Sequence, residues 1–177
     1  MEVTLETERL RLRAFRNSDL EAYAPICADP EVMQYIGTGV ILSRQDAWRS
    51  MANILGHWRL LGYGMFAVEL KSSADLLGRV GFLDPPGWPG FELGWLLGRQ
   101  FWGKGYALEA ATAARDYAFE TLGRDRLISL IRPDNRRSIR VAERLGERLA
   151  GEVEVLGAKA LVYELLVQRG TRMEAGR

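Results

Sequence analysis

The fold is decided by the stretch LGWLLGRQFWGKGYALEA, residues 93–110. An apolar run leads into a turn that contains Gly103, Lys104 and Gly105, and an alanine-rich segment with helical spacing follows. The sequence therefore predicts a strand, a glycine-rich turn and a long helix in direct succession. A turn that only joins two elements does not need two glycines and a lysine in three positions, so we expect it to bind a ligand.

The position of this turn favours an anionic ligand. The first N–H groups of a helix lack intrahelical partners and carry a partial positive charge, and glycine lets a ligand approach them without meeting a Cβ. Lys104 adds a formal positive charge. The turn is therefore predicted to bind a phosphate or pyrophosphate.

Two common phosphate-binding motifs fit the turn poorly. Residues 98–105 approach the P-loop pattern, but Gly105 stands where the magnesium-binding Ser or Thr belongs. The dinucleotide-binding fingerprint also fails, because Tyr-Ala-Leu follows Gly105 and no strand–helix–strand unit precedes it. A nucleotide-binding module of the P-loop kind and a purely structural tight turn remain as alternatives.

Composition limits the class of protein. The chain has 177 residues, a net charge of +1 and a single cysteine, Cys27. One domain is expected at this length, and the near-zero charge argues against nucleic-acid or membrane partners. The first residues alternate apolar and charged side chains and lack the apolar run of a signal peptide. We therefore expect a cytoplasmic protein, in which Cys27 is a buried structural thiol.

Hydrophobic periodicity predicts an α+β fold in the order β-α-α-β-β-β-α-β-α-β-β, with one mixed sheet flanked by helices. The predicted strands cover residues 3–15, 65–70, 76–83, 91–97, 126–131, 152–156 and 159–167, and the two long helices cover 44–61 and 105–122. Alanines mark the buried face of the second long helix, and Glu109 lies on the opposite, exposed face. The domain is predicted to span residues 1–168, and the tail 169–177 is predicted to be disordered.

The turn also matches the pattern Q/R-x-x-G-x-G/A, as Gln100-x-x-Gly103-x-Gly105. With this match the sequence resembles the GNAT superfamily of acyl-CoA-dependent N-acyltransferases, and most closely its branch that acetylates ribosomal-protein N-termini. The resemblance extends over nearly the whole chain, in the blocks LETERLRLRAF, ADPEVMQYIG, LLGRVGF, LGWLLGRQFWGKGYALEA and RPDNRRSIRVAERLG. It implies a single GNAT-like domain with a twisted, mostly antiparallel sheet.

The resemblance implies acetyl transfer from acetyl-CoA to a primary amine, by direct attack and without a metal ion. The expected acceptor is a protein or peptide N-terminus. The alternatives are a small amine (a polyamine, amino sugar or amino acid) and a non-catalytic CoA-binding domain. A homodimer is compatible with the resemblance, although nothing in the sequence fixes it.

In this family the CoA diphosphate lies on backbone amides of the turn, and the pantetheine arm runs beside the preceding strand, where two strands splay apart. The diphosphate contacts then fall on Gln100, Phe101, Trp102, Gly103, Lys104, Gly105 and Tyr106. A backbone N–H near Leu96 would polarise the thioester carbonyl. Asn135 matches the family asparagine that contacts the CoA arm.

Catalytic groups are predicted on the same basis. Glu92 is the first candidate for the general base, because it shares a strand face with a glycine two positions on that leaves room for a ligand; Glu69 is the second. Many superfamily members use a tyrosine to protonate the leaving thiol, but Ala142 occupies that position, and the resemblance implies Ser138 instead. Glu147 replaces an aromatic residue that the family usually has.

Structural interpretations compete with these roles. Glu92 can be a solvent-facing strand residue, and Ser138 or Asn135 can be a helix cap.

Other conspicuous side chains are interpreted as structural. His57 is expected to be packed or at the surface, and Trp88 and Trp102 are expected to anchor the core or a loop. Three arginines are interpreted as a solvated helix face or, alternatively, as a contact to the 3′-phosphate of CoA: Arg136, Arg137 and Arg140.

Overall fold

The computed structural model describes residues 3–167 and is built on an eight-stranded sheet with helices on both faces. The strands are β1 (Leu5–Glu6), β2 (Leu10–Arg13), β3 (Met65–Leu70), β4 (Leu76–Leu83), β5 (Glu92–Leu97), β6 (Arg126–Ile131), β7 (Arg148–Val155) and β8 (Ala158–Leu166). The helices are α1 (Leu20–Cys27), α2 (Pro30–Met33), α3 (Arg44–Leu61), α4 (Tyr106–Glu120) and α5 (Arg136–Leu145). The tail 169–177, predicted to be disordered, lies outside the described residues.

The strands follow the order β1-β2-β3-β4-β5-β6-β8-β7 across the sheet. Neighbouring strands are antiparallel except β5 and β6, which run parallel. This arrangement confirms the predicted α+β class with a mixed, mostly antiparallel sheet. Within residues 3–167, no helix combines the length and the apolar character needed to cross a membrane.

The prediction of one strand over residues 3–15 is wrong, because the chain reverses within it. The strands β1 and β2 pair antiparallel, with Leu5 opposite Leu12. Thr7 makes the reversal: its N–H donates to Leu10 O at 2.9 Å, and the Leu10 N–H donates back to Thr7 Oγ1 at 2.9 Å. Apolar and charged residues alternate on both sides of the reversal, so the alternation alone could not show it.

Helix α4 packs on one face of the sheet through its alanines, as predicted. Ala110, Ala111, Ala114 and Ala118 are fully buried against strand residues of β2 to β6. A face made of methyl groups lets the helix approach the sheet closely. Glu109, however, was wrongly predicted to be exposed, because it accepts hydrogen bonds from the Thr7 hydroxyl at 2.6 Å and from the Arg9 N–H at 2.9 Å. These hydrogen bonds therefore connect the β1–β2 reversal to the first turn of α4.

The first three helices cover the opposite face of the sheet. Their buried side chains form a second apolar cluster with the strand residues Met65, Ala67 and Leu96. Cys27 lies in this cluster, buried as predicted. The two clusters hold the sheet between two layers of helices.

Candidate active site

Strands β5 and β6 separate after a single main-chain pair, Glu92 with Ile128, within the described part of the chain. A parallel ladder would continue with a bond from the Leu130 N–H to the Leu93 carbonyl. Instead, the Leu93 carbonyl accepts a hydrogen bond from the Ser129 hydroxyl at 2.8 Å. A side chain thus replaces the next main-chain bond at the point where the gap opens, which is where the resemblance implied a splay.

The register of β5 decides which amides face this gap. The Gly98 N–H bonds to a carbonyl of β4 at 2.9 Å. Because main-chain bonding alternates along an antiparallel pair, Leu96 also bonds towards β4, opposite Arg79. The N–H groups of Trp95 and Leu97 then point into the gap. The Leu96 N–H itself therefore faces away from the gap, and its neighbours Trp95 and Leu97 are the candidates for the expected carbonyl donor.

The larger of two adjoining cavities, about 320 Å³, extends from the gap to the start of α4. Its walls are formed by α2, the end of β5, the glycine-rich turn, the first turn of α4 and one face of α5. Of the residues predicted to bind CoA, it is lined by Leu96, Phe101, Trp102, Gly103, Gly105, Tyr106 and Asn135.

The glycine-rich turn has the backbone shape expected of an anion site. Gly103 and Gly105 have φ values of 75° and 81°, which residues with a Cβ rarely adopt. No atom lies within 4 Å of the place a Cβ would occupy at Gly103, so this side of the turn is open. Gly105 directly precedes α4, and no side chain caps the helix there. The first N–H groups of α4 are therefore available to an anion.

Arginines of α5 add positive charge to the larger cavity. Arg137 stacks on the Trp102 ring, with its Cζ 4.0 Å from the centroid, and Arg140 and Arg144 line the same wall. Trp102 is itself held by a bond from Nε1 to Leu97 O at 2.8 Å, which confirms its anchoring role. Arg137 and Arg140 are exposed, as the solvated-face interpretation predicts, and they also line this cavity. Open amides with arginines close by fit the diphosphate and 3′-phosphate of CoA.

Two residues of the turn lie at its rim. Gln100 and Lys104 are exposed, and the side chain of neither lines a cavity. The Lys104 carbonyl accepts a bond from Arg9 Nη1 at 3.0 Å, and the Arg9 guanidinium also stacks on the Tyr106 ring. Arg9 thus links the β1–β2 reversal to the turn. Sequence reasoning missed it because the reversal was not visible.

The smaller cavity, about 200 Å³, lies at the other side of the gap and contains Glu92. The half-buried Glu92 carboxyl accepts a bond from Trp88 Nε1 at 2.7 Å, and the backbone of Leu130 also favours its ionised form. Removal from water outweighs these donors and raises the pKa of Glu92 to about 7. A carboxyl of this kind can accept a proton near neutral pH. Glu92 is therefore no ordinary solvent-facing residue, and Trp88 does more than anchor a loop.

Trp95, Asn135 and Ser138 line both cavities and mark where they meet. Asn135 caps α5, since its Oδ1 accepts the Ser138 N–H at 3.1 Å; the capping interpretation is confirmed for Asn135 and wrong for Ser138. The Ser138 hydroxyl accepts a bond from Trp95 Nε1 at 3.1 Å, which leaves its own proton to donate. Ala142, at the family's tyrosine position, is fully buried.

The second candidate base, Glu69, is placed outside the site. It is buried between Arg13 and Arg11, with ion-pair distances of 2.8 and 2.9 Å. Burial opposes ionisation, but the hydrogen bonds from Arg13 and Arg11 prevail and lower the pKa of Glu69. Glu69 lines neither cavity, so its assignment as a base is wrong. His57 is structural, as expected, with Nδ1 2.7 Å from Tyr63 O.

A second carboxyl with a raised pKa lies beside the gap. Glu147 is buried directly after α5, and burial raises its pKa to about 7. Its Oε1 lies 3.0 Å from the Ser129 hydroxyl, and Oε2 has no partner among residues 3–167. The hydroxyl has one proton and also contacts Leu93 O. A protonated Glu147 satisfies this group best, because it donates to Ser129, which then donates to Leu93 O.

Comparison with known protein families identifies the class of protein to which this site belongs. The family model described as "Acetyltransferase (GNAT) domain" matches residues 9–148, and the chain belongs to the GNAT acetyltransferase family. A relative from Bacillus subtilis (strain 168), the uncharacterized N-acetyltransferase YnaD, is 32% identical over 147 residues. The match covers 83% of this chain and 84% of the relative.

Solved structures agree with the family assignment. The acetyltransferase from Agrobacterium tumefaciens str. C58 has a TM-score of 0.82 at 37% identity, over 92% of this chain and 94% of that chain. The ribosomal-protein-S5-alanine acetyltransferase from Vibrio fischeri has a TM-score of 0.75 at 18% identity, over 94% and 98% of the two chains. The second likeness shows the fold alone. The comparisons thus establish that the chain is a GNAT N-acetyltransferase. Membership of the ribosomal-protein branch is a finer assignment, which they do not establish.

Proposed function

We propose that the protein transfers an acetyl group from acetyl-CoA to a primary amine by direct attack. The observation that carries this proposal is the meeting of two cavities at the β5–β6 gap. One cavity ends on open helix amides and arginines, and the other holds a carboxyl whose pKa is raised to about 7. Where they meet, the Trp95 N–H points into the gap and the Ser138 hydroxyl has a proton to donate.

Each group has a distinct role in the proposed reaction. Bound acetyl-CoA supplies the activated acetyl thioester. The amides of residues 100–106 and the α5 arginines hold its phosphates, and the Trp95 N–H polarises the carbonyl. Glu92, directly or through a water, takes the proton from the attacking amine, and Ser138 donates a proton to the leaving sulfur.

Direct attack agrees with the composition of the two cavities. Their lining residues include neither cysteine nor histidine, the side chains that most readily form or activate a covalent acyl intermediate. Cys27 is buried in the apolar cluster between the sheet and the first three helices. The proposal therefore uses a complex in which both substrates are bound together.

An N-terminal α-amine of a protein or peptide is the proposed acceptor. Its pKa of about 7.7–8.0 leaves an appreciable neutral fraction at physiological pH, whereas a lysine amine at about 10.4 is almost wholly protonated. A cavity of about 200 Å³ has room for the end of a chain.

Turnover with acetyl-CoA tests the proposed function. Purified protein is incubated with acetyl-CoA and a panel of peptide N-termini, polyamines, amino sugars and amino acids, and free thiol is followed together with the mass of the acetylated product. We expect thiol release that depends on an amine and is highest with an α-amine. Binding of CoA without transfer to any amine would instead identify a non-catalytic CoA-binding domain.

A further inference from the structure

Arg79 is a cation without a protein partner in the smaller cavity. It lies in the middle of β4, is half-buried and lines this cavity together with Glu92. Among residues 3–167 its guanidinium makes no hydrogen bond or ion pair, whereas the guanidinium of Arg13 bonds to two carboxylates. A guanidinium has five N–H donors, and those of Arg79 border the open space of this cavity, since none of its atoms is fully buried without a partner. Arg79 is therefore suited to a ligand that supplies acceptors.

The other arginine of this cavity is already occupied. Arg132 donates to the carbonyl oxygens of Gly37 at 2.9 Å and Val155 at 3.2 Å, and it also bonds to the Ala158 carbonyl. These bonds join the segment after α2 to the β7–β8 turn across the cavity rim. Arg132 thus shapes the opening, and Arg79 provides the cation that faces the interior.

The strands β4 and β5 carry no side chains on the sheet surface between Arg79 and Glu92, and the methyl group of Met65 reaches over it from β3. On this face the pair Gly81–Gly94 separates the two residues in the β4–β5 register. A Cβ on Gly94 would lie 3.7 Å from Glu92 Oε1 and 3.2 Å from Met65 Cε, so the Glu92 carboxyl extends over Gly94 towards Arg79. Measured along the strands, Arg79 and Glu92 lie four residues, or about 13 Å, apart. The Arg79 charge acts across this span, since it partly offsets the rise in the pKa of Glu92.

We propose that the acceptor carries a carboxylate close to its amine, and that Arg79 binds this carboxylate while Glu92 takes the proton from the amine. This inference rests on the proposed function, in which Glu92 is the base. A guanidinium matches a carboxylate with two parallel hydrogen bonds, which would fix the direction of the amine. A free amino acid and a peptide whose first or second residue is acidic share this chemistry.

Pairs of acceptors that differ only in one carboxylate test the proposal. One pair is an amino acid and its carboxamide, and the other is a peptide amide that begins with Asp or Glu and its Asn or Gln counterpart. The wild-type protein is expected to favour the carboxylate member of at least one pair by about tenfold or more in kcat/KM. The pair that shows the preference identifies whether the carboxylate belongs to a free amino acid or to an acidic side chain of a peptide.

Variants then assign the preference to Arg79. In Arg79→Met we expect it to fall to about twofold or less, and Arg79→Lys should restore part of it. The matched control is Arg59→Met on the exposed side of α3, which should leave the preference intact. Thermal unfolding of each variant shows that it is folded.

A binding measurement separates this inference from the proposed function. The carboxylate-bearing amines are titrated calorimetrically into CoA-bound wild-type protein and into CoA-bound Arg79→Met. Equal binding to the two proteins, or equal turnover of both members of every pair, would overturn the role of Arg79 and leave acetyl transfer standing. Failure of every amine to accept an acetyl group, with CoA binding retained, would overturn the proposed function itself.

Discussion

Glu92 shows how the place of a side chain on a strand sets its properties. It forms the last main-chain pair between β5 and β6, and its carboxyl accepts a bond from Trp88 Nε1 at 2.7 Å. The same position removes it from water and raises its pKa to about 7. A base with this pKa is half ionised at neutral pH, where a neutral α-amine is also available.

Replacement of Glu92 should remove both a base and a titration. In Glu92→Gln we expect kcat/KM at pH 8 to fall roughly 10²-fold, the lower range for a general base. The ionised carboxylate is the active form, so wild-type activity should decline as the pH falls through about 7, and this step should be absent in the variant. Profiles of kcat/KM are measured with a weakly basic amine that stays neutral throughout. The exposed Glu8→Gln is the control, and a step near pH 7 in Glu92→Gln would refute the assignment.

Residues whose role depends on a local pattern could be predicted from the sequence. Gly103 and Gly105 needed only their place before a helix, and Glu92 needed only its spacing from Gly94. Residues whose role depends on contacts between distant segments could not be predicted from the sequence, because neither periodicity nor a motif marks them. This second group comprises Arg9, Arg79, Trp88, Ser129 and Glu147.

At the scale of elements, the glycine-rich turn owes its shape to long-range support as well as to its own glycines. The positive φ values of Gly103 and Gly105 follow from local sequence. The turn is also tied to the β1–β2 reversal, because Arg9 donates to the Lys104 carbonyl and Glu109 accepts from Thr7. The predicted strand–turn–helix succession is confirmed, and the wrong single strand over residues 3–15 concealed its support.

A matched pair of glycine substitutions separates backbone strain from ligand binding. Gly103 and Gly123 have φ values of 75° and 64°, and neither has an atom within 4 Å of a Cβ position. Valine at either place should cost roughly 1–3 kcal/mol of stability, because both must keep a left-handed conformation. Only Gly103→Val should also raise the Kd for CoA, by about tenfold or more. Calorimetric Kd values and thermal unfolding check this, and equal Kd values for the two variants would contradict the assigned phosphate site.

At the scale of the whole molecule, the second carboxyl beside the gap affects stability more than chemistry. Glu147 is buried, and its pKa is raised to about 7 by removal from water and by the nearby Glu92 charge, in spite of the bond to Ser129. Between its ordinary value of 4.5 and about 7, the folded protein binds this proton more tightly than the unfolded chain does. Glu147 therefore lowers the free energy of unfolding as the pH rises through this window.

Glu147→Gln should remove that pH dependence. The free energy of unfolding of the variant, relative to wild type, should increase by up to about 3 kcal/mol between pH 5 and pH 8. Urea denaturation at the two pH values measures the change, and a constant offset from the amide group does not affect it. Glu154→Gln, exposed on β7, is the control and should show no such trend. Identical trends in the two variants would mean that Glu147 does not titrate in this range.

A sheet is ordinarily most rigid at its centre and loosest at its edges. In the described chain, a single main-chain pair between β5 and β6 joins five strands on one side of the sheet to three on the other. The weakest main-chain connection of this sheet therefore lies in its middle. The main-chain bonds resist tilting of the two parts least at this connection, although α4 packs across both. A coenzyme arm bound in the β5–β6 gap would connect the two parts of the sheet. Coenzyme binding would therefore make the sheet that carries the active-site residues more rigid.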